Sequence, residues 1–261
     1  MNPAQLRLIL HNPDTSPLSV GSRFRIGEFP TSSITAIIPA YNEARGIGRV
    51  LAVLRQVTYL REIIVVNDGS DDATELEAHQ AAGLDPRIRI INHPVNLGKG
   101  EAVYTGWSIS QSNIILTLDA DLIGLTPQHV LDLIQPVVAC RADMSLGLFS
   151  GGRWNTDLSH RMTPWLTGQR CFRTEVLRYV SHKAAQGYGF ETALTLTAKR
   201  QGYRLVRVKI VGVSHPPSES HRGFWKGLRN RTRMYTHIIR AWYHSTGWHR
   251  FFGQLKDWTW L

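Results

Sequence analysis

The chain has 261 residues, 43% of them hydrophobic and 19% charged. That is enough apolar material to bury one large α/β domain and too much for a disordered chain. No apolar run approaches the roughly 18–20 residues of a membrane-spanning helix. The 30 Lys and Arg against 20 Asp and Glu leave a net charge of +10, which suits an anionic partner such as nucleotide phosphate, lipid head groups or nucleic acid.

Residues 1–33 hold Pro3, Pro13, Pro17 and Pro30 and read as a loosely structured N-terminal extension. They lack the basic-then-apolar pattern of a secretory signal, so a cytoplasmic location is expected, peripheral on the inner membrane face if a membrane is involved. Ile34 to Pro39 reads as a buried strand ended by proline, which has no N–H for the ladder. Ile47, Val50, Leu51 and Leu54 recur at helical spacing within 45–57. A second strand over 62–67 runs into Asp68-Gly69-Ser70-Asp71-Asp72, a turn with capping residues for a helix over 73–82. A third strand spans 88–92, and Leu97-Gly98-Lys99-Gly100 opens a helix through Trp107. The fourth strand spans 114–118 and a helix follows over 127–138. Strands alternating with helices at this spacing predict βαβ units and a mainly parallel sheet flanked by helices.

After Ala142 the rhythm changes. A strand is expected over 144–149, a Gly- and Trp-containing closing loop over 151–166, helices over 174–180 and 190–201, and an alternating strand over 203–213. Cys140 and Cys171, the only cysteines, lack metal-ligand spacing and are expected to be free buried thiols. Residues 221–261 form a basic, aromatic tail with Trp225, Trp242, Trp248, Trp258 and Trp260 among its arginines. Such a composition suits a membrane interface, and equally a helical stripe packed on the core or against a second copy of the chain.

The most informative stretch is Ile114 to Asp121, an apolar run ending in Asp119-Ala120-Asp121. Residues i and i+2 of an extended chain share a face, so both carboxylates are expected at the carboxyl end of a central strand. That edge is where open α/β sheets bind ligands. A pair of carboxylates there makes a hard oxygen site for Mg²⁺ or Mn²⁺, and such an ion holds diphosphates.

Five segments in order resemble the family-2 glycosyltransferases of the GT-A fold: Ile38-Pro39-Ala40-Tyr41-Asn42-Glu43, Val65 to Asp72, Asn96 to Gly100, Leu118 to Asp121, and Gly187-Tyr188-Gly189-Phe190-Glu191. The pattern is most similar to the branch containing polyprenyl-phosphate (dolichyl-phosphate) sugar synthases, and it also resembles glucosyl-3-phosphoglycerate synthases. The resemblance implies a Rossmann-like GT-A domain over 34–220, with a nucleotide-binding half at 34–142 and an acceptor half at 143–220. It implies a hexosyltransferase that moves sugar from a UDP- or GDP-sugar, with a polyprenyl phosphate as acceptor. Transfer to a small soluble acceptor is the alternative, a sugar nucleotidyltransferase is a rival class, and a nucleic-acid-binding protein is disfavoured because no binding motif supports it.

On that resemblance Pro39, Tyr41, Glu43, Asp68, Lys99, Asp119 and Ala120 form the nucleotide-binding set. Tyr41 offers a flat face to the base, Glu43 an acceptor for ribose or base, and Asp68 an acceptor for a base N–H. Lys99 sits at a helix start suited to anions. Asp119 and Asp121 are expected to hold the metal. Polyprenyl-phosphate synthases often add Gln two residues after the second Asp, where this chain has Ile123, so His215 after the last core strand is the expected third ligand, with His221 as runner-up. Asp121, Arg170 and Glu191 are the catalytic candidates. The segment Thr167 to Arg170 precedes an apparent helix and is expected at the acceptor side, where Arg170 binds an acceptor phosphate or, alternatively, is a helix-start arginine at the surface. Glu191 is the general base for a hydroxyl acceptor, or an orienting group if the acceptor is already anionic.

Overall fold

The structure is a computed structural model that describes residues 33–150, 167–180 and 189–216. The closing loop expected at 151–166, the tail at 221–261, His221 and all of the extension but Ser33 lie outside the described residues. Seven strands form one sheet: β1 (Ile34–Ala40), β2 (Leu60–Asn67), β3 (Ile88–Asn92), β4 (Ile114–Thr117), β5 (Met144–Ser150), β6 (Arg170–Arg173) and β7 (Leu205–Val211). The helices are α1 (Ile47–Leu54), α2 (Thr74–Ala82), α3 (Lys99–Ile109), α4 (Pro127–Val138) and α5 (Phe190–Arg200), with a 3-10 helix at Thr174–Tyr179.

The strand order is β3-β2-β1-β4-β6-β5-β7. The β1–β2, β1–β4, β2–β3 and β5–β7 pairs are parallel, and β6 runs antiparallel to both β4 and β5. β4 is buried at every residue and β1 at all but Pro39, as strands covered on both faces must be. In α1 the predicted stripe of Ile47, Val50, Leu51 and Leu54 is fully buried. On the other side Ile37, Ile64, Ile115 and Phe172 of the sheet pack with Ala102, Val103, Phe190 and Leu194 of the helices. α4 starts at a cap in which Thr126 Oγ1 accepts from His129 N, with Pro127 at the first helical position.

Four expectations change. β1 extends to Ala40, past Pro39. Leu118 N still donates to Ile37 O, but β4 pairs with β1 only as far as Ile37. The N–H that Pro39 lacks would face the same side as Ile37, beyond the end of β4, so the β2 ladder continues without it. β4 itself stops at Thr117, so Asp119 and Asp121 lie in the turn after the strand and their convergence is not a consequence of strand alternation. Arg170 opens a strand and not a helix: Arg170-Cys171-Phe172-Arg173 is too short and too basic at its ends to read as an apolar run. Cys171 is buried as expected, whereas Cys140 is exposed just past α4, in the left-handed region at φ 53°.

Candidate active site

The chain reverses direction in the sheet between β1 and β4: from β1 it goes outward to β2 and β3, then returns to β4 on the other side. A crevice opens outside the carboxyl ends of strands at such a switch point. The β1–α1 connection and the turn after β4 meet there. A Cβ on Gly46 would stand 2.5 Å from Ala120 O and 2.8 Å from Asp121 Cα, so only glycine lets the two segments touch. Ala120 is buried and supplies its carbonyl to that contact.

His215 reaches the turn through a short backbone bridge. Ile123 N donates to Ser214 O at 2.9 Å and Ser214 N to Ile123 O at 3.0 Å. This brings His215 Nδ1 to 2.8 Å from Asp121 Oδ1 and Nε2 to 3.7 Å from Asp119 Oδ2. One ligand atom from each of Asp119, Asp121 and His215 lies within 4.8 Å of the others, the arrangement needed to hold one metal ion. Burial opposes the charge of the His215 imidazole, but the Asp121 hydrogen bond and the negative charges of Asp119 and Asp121 outweigh it and raise its pKa. Glu43, half-buried on the facing loop, is pushed up to about 7 by burial and then by the charges of Asp121, Asp119 and Asp72.

Lys99, the first residue of α3, spans two carboxylates: its Nζ lies 2.5 Å from Asp119 Oδ1 and 2.7 Å from Glu191 Oε1. Burial works against its charge and these two neighbours more than restore it, so its pKa moves up. Burial also opposes the charge on Asp119, and Lys99 followed by His215 overcomes it, so that pKa moves down. The other Asp119 oxygen accepts from Gln169 Nε2 at 2.9 Å. Gly168 leaves room for this cluster, since a Cβ there would stand 2.4 Å from Lys99 Nζ and 2.5 Å from Asp119 Oδ1.

Arg170 is fully buried. Its Nε donates to Thr167 O at 2.6 Å, and its Nη1 donates to Glu191 O at 2.9 Å and Thr195 Oγ1 at 2.8 Å. Burial pushes the guanidinium down to about 10, against the pull of Glu191 and Asp119, so it stays charged near neutrality. Arg170 therefore ties the 167–169 segment to the start of α5, and the surface placement at a helix start is corrected: the side chain lies inside the protein. Glu191 is 5% exposed and its carboxylate faces Lys99.

Asp68 is also more deeply engaged than its motif suggests. It is 2% exposed; Oδ1 accepts from Leu97 N at 3.0 Å and contacts His93 Nδ1 at 2.7 Å, and Oδ2 accepts from Gly98 N at 2.8 Å. His93 Nε2 in turn meets Thr105 Oγ1 at 2.9 Å. Asp68 thus clamps the turn that delivers Lys99, and in this geometry it does not stand free to receive a base. Tyr41 is 37% exposed on the same rim. Asn42 adopts φ 57°, a conformation Asn tolerates, and its side chain accepts from Asp71 N at 2.9 Å while its own N–H donates to Ser70 Oγ at 2.9 Å. The first two motifs are thereby held together.

Gly46, His93, Gly168 and Gln169 were not among the sequence candidates. Gly168 and Gln169 precede Arg170 in a segment assigned to the acceptor side, and only the antiparallel entry of β6 brings them to Asp119. His93 follows a strand end with no motif around it, so nothing local marks it.

A carboxylate and histidine cluster at a switch point, on a largely parallel sheet with one antiparallel insertion, fits the GT-A fold. The chain belongs to glycosyl transferase family 2, whose model matches residues 35–211. It is 28% identical over 212 residues to the undecaprenyl-phosphate mannosyltransferase of Micrococcus luteus, covering 72% of this chain and 86% of that one. It is 26% identical over 211 residues to the polyprenol monophosphomannose synthase of Mycolicibacterium smegmatis, covering 69% and 77%. Among solved structures it is similar to glucosyl-3-phosphoglycerate synthase of Mycobacterium tuberculosis in complex with Mn²⁺, UDP-glucose and glycerol 3-phosphate, with a TM-score of 0.69, 23% identity and coverage of 87% and 86%. That likeness shows the shared fold. The protein is a glycosyltransferase.

Proposed function

We propose that the enzyme transfers a sugar from a nucleoside-diphosphate sugar to a polyprenyl phosphate, with Mg²⁺ or Mn²⁺ held by Asp119, Asp121 and His215. The observation that carries the donor half is the convergence of those three side chains at the switch point of a family-2 domain. Two carboxylate oxygens and one imidazole nitrogen form a donor set that suits a hard to borderline divalent ion. When bound, such an ion acts as a Lewis acid on the departing diphosphate. The chain's own residues do the rest. Tyr41 and Glu43 line the base and ribose side, Lys99 meets diphosphate oxygens at the start of α3, and Asp68 holds the turn that presents them.

Two observations support a phosphate acceptor. Relatives matching over most of their length are named for transfer to undecaprenyl phosphate and for polyprenol monophosphomannose synthesis. Glu191, the general-base candidate named from the sequence, is already engaged with Lys99 at 2.7 Å. A phosphate nucleophile arrives anionic and needs no base, whereas a hydroxyl does. A second reading has its own support. The position two residues after Asp121 is Ile123, where polyprenyl-phosphate synthases often carry Gln, so on this reading His215 supplies the third ligand. A 112-residue segment is 29% identical to the glucosyl-3-phosphoglycerate synthase of Mycolicibacterium smegmatis. Among the described residues no helix is long and apolar enough to cross a membrane, so a lipid acceptor would be reached from the bilayer surface.

The test is calorimetric titration of UDP and GDP with and without Mn²⁺, followed by turnover assays with undecaprenyl phosphate in vesicles or 3-phosphoglycerate in solution. Metal-dependent nucleotide binding that disappears in Asp121→Ala supports the donor site, and binding unaffected by that change refutes it. Turnover only with 3-phosphoglycerate refutes the lipid acceptor.

A further inference from the structure

We propose that Lys99 couples the metal site to the diphosphate, so that a divalent cation binds weakly by itself and tightly together with a nucleoside diphosphate. The inference rests on the donor-site reading above and adds an energetic role for one residue. Its basis is a shared ligand. Asp119 belongs to the candidate metal set, and the same carboxylate has the Lys99 ammonium 2.5 Å from Oδ1.

Lys99 is not a surface charge free to swing away. Its side chain is 27% exposed and its ammonium also lies 2.7 Å from Glu191 Oε1. Its backbone begins α3 directly after Gly98, whose N–H is held by Asp68. Gly168 provides the space the ammonium occupies beside Asp119. Gln169 holds the second Asp119 oxygen, which restricts rotation of the carboxylate away from Lys99. A dication sharing Asp119 therefore meets a fixed positive charge in a pocket partly shielded from water, where like charges repel several times more strongly than in bulk solvent.

A diphosphate changes the balance. Its oxygens arrive at the N-terminus of α3, where helix starts favour anions, and offer negative charge to the dication and to the ammonium at once. By linkage, the factor by which the nucleotide raises metal affinity equals the factor by which the metal raises nucleotide affinity. Lys99 enlarges that factor because it penalises the metal-only complex and rewards the ternary one.

The experiment measures free Mn²⁺ by electron paramagnetic resonance at fixed pH, with full-length wild type, K99M and K99R, each with and without UDP or GDP. Binding of Mn²⁺ alone is expected to tighten in K99M, and its enhancement by nucleotide to shrink by a factor within the roughly 5–150-fold range of ordinary coupling. K99R keeps the charge and is expected to keep the enhancement. Should circular dichroism show K99M unfolded, K99Q carries the same test, since its amide still donates to both carboxylates. Mn²⁺ affinity in the neutral variant no tighter than wild type, or an unchanged nucleotide enhancement, overturns the inference while leaving the donor site standing. Absence of nucleotide-enhanced Mn²⁺ binding in the wild type itself removes both.

Discussion

Two glycines at neighbouring turns of the same helix start make a matched test of the site's architecture. Gly46 precedes α1 with φ −104° and ψ −44°, a right-handed conformation that alanine adopts easily, and Gly48 lies inside α1. On backbone grounds alone, alanine at a glycine stabilises by about 0.4–1 kcal/mol through the unfolded chain. A Cβ at Gly48 finds its nearest neighbour, Ala81 Cβ, at 4.0 Å, so Gly48→Ala is expected to realise that gain. A Cβ at Gly46 stands 2.5 Å from Ala120 O and 2.8 Å from Asp121 Cα, backbone atoms that cannot rotate aside. Overpacking of that kind costs about 1–3 kcal/mol, so Gly46→Ala is expected to lose about 1–2 kcal/mol net. For a chain of this size 1 kcal/mol moves Tm by about 2–4 °C, which gives a rise of about 1–4 °C for Gly48→Ala and a fall of about 2–8 °C for Gly46→Ala. Scanning calorimetry separates the two, and Mn²⁺-dependent UDP titration adds a second readout. Gly46→Ala shifts the turn carrying Asp121 and is expected to weaken that binding, whereas Gly48→Ala leaves it unchanged. A Gly46→Ala protein as stable as Gly48→Ala, with wild-type nucleotide binding, refutes the close approach of the two loops.

Three further outcomes follow from single contacts. Gln169→Ala removes the donor on Asp119 Oδ2 and is expected to weaken Mn²⁺ affinity in the presence of UDP about 10–100-fold, as loss of an orienting partner does at metal sites, with Mn²⁺ titration at saturating UDP as the check. His93→Ala leaves Asp68 and Thr105 short of a buried partner, a loss of about 1–3 kcal/mol. The Leu97 and Gly98 amides are then expected to exchange hydrogen faster, and unchanged exchange would detach His93 from the turn. Asp143 has its pKa lowered by hydrogen bonds from Arg204, then by the charges of Arg204 and Arg173. A depressed folded-state value gives stability that is present above the unfolded value, about 3.9, and lost as pH falls through the folded one. Asp143→Asn is therefore expected to cost at most about 1 kcal/mol near neutrality, since Arg204 is exposed, and to lose less than wild type in Tm scans between pH 6 and 3.

Much of residues 34–142 could be read from the chain because the physics there is local. β1 to β4 are short apolar runs bounded by turn residues, and the buried stripe of α1 is set by residues three and four apart. The described residues after 142 were less legible. β6 owes its place to pairing with β4 and β5 on either side and carries no periodicity over its four residues. Asp119 and Asp121 were placed at the correct edge by an incomplete argument. Strand alternation ends at Thr117, and what brings the two carboxylates to His215 is the Ile123–Ser214 bridge between segments 91 residues apart in sequence (214 − 123), a pairing no local pattern announces. Arg170 misled for a related reason: a single arginine near an apparent helix reads as a surface group, and only the tertiary structure shows acceptors such as Thr167 O, Glu191 O and Thr195 Oγ1 that make its burial tolerable.

The antiparallel sense of β6 explains why the site holds together across the two halves. A parallel strand brings only its carboxyl end, and the loop after it, to the ligand edge. β6 runs the other way, so the residues before it, Thr167, Gly168 and Gln169, arrive at that edge beside the end of β4. Thr167 Oγ1 donates to Gly147 O of β5 at 2.7 Å, and Thr117 Oγ1 of β4 donates to Gly168 O at 2.9 Å, so the segment is pinned from both sides. Gln169 then reaches Asp119, and Arg170 reaches back to the start of α5, fixing the backbone of Glu191. Through Lys99 the Glu191 carboxylate connects to Asp119 again. The result is a closed circuit in which the Asp119 and Glu191 carboxylates share one ammonium and one supporting strand. A displacement of either carboxylate is therefore opposed through the other, and on the proposed reaction this would link departure of a diphosphate to entry of an acceptor.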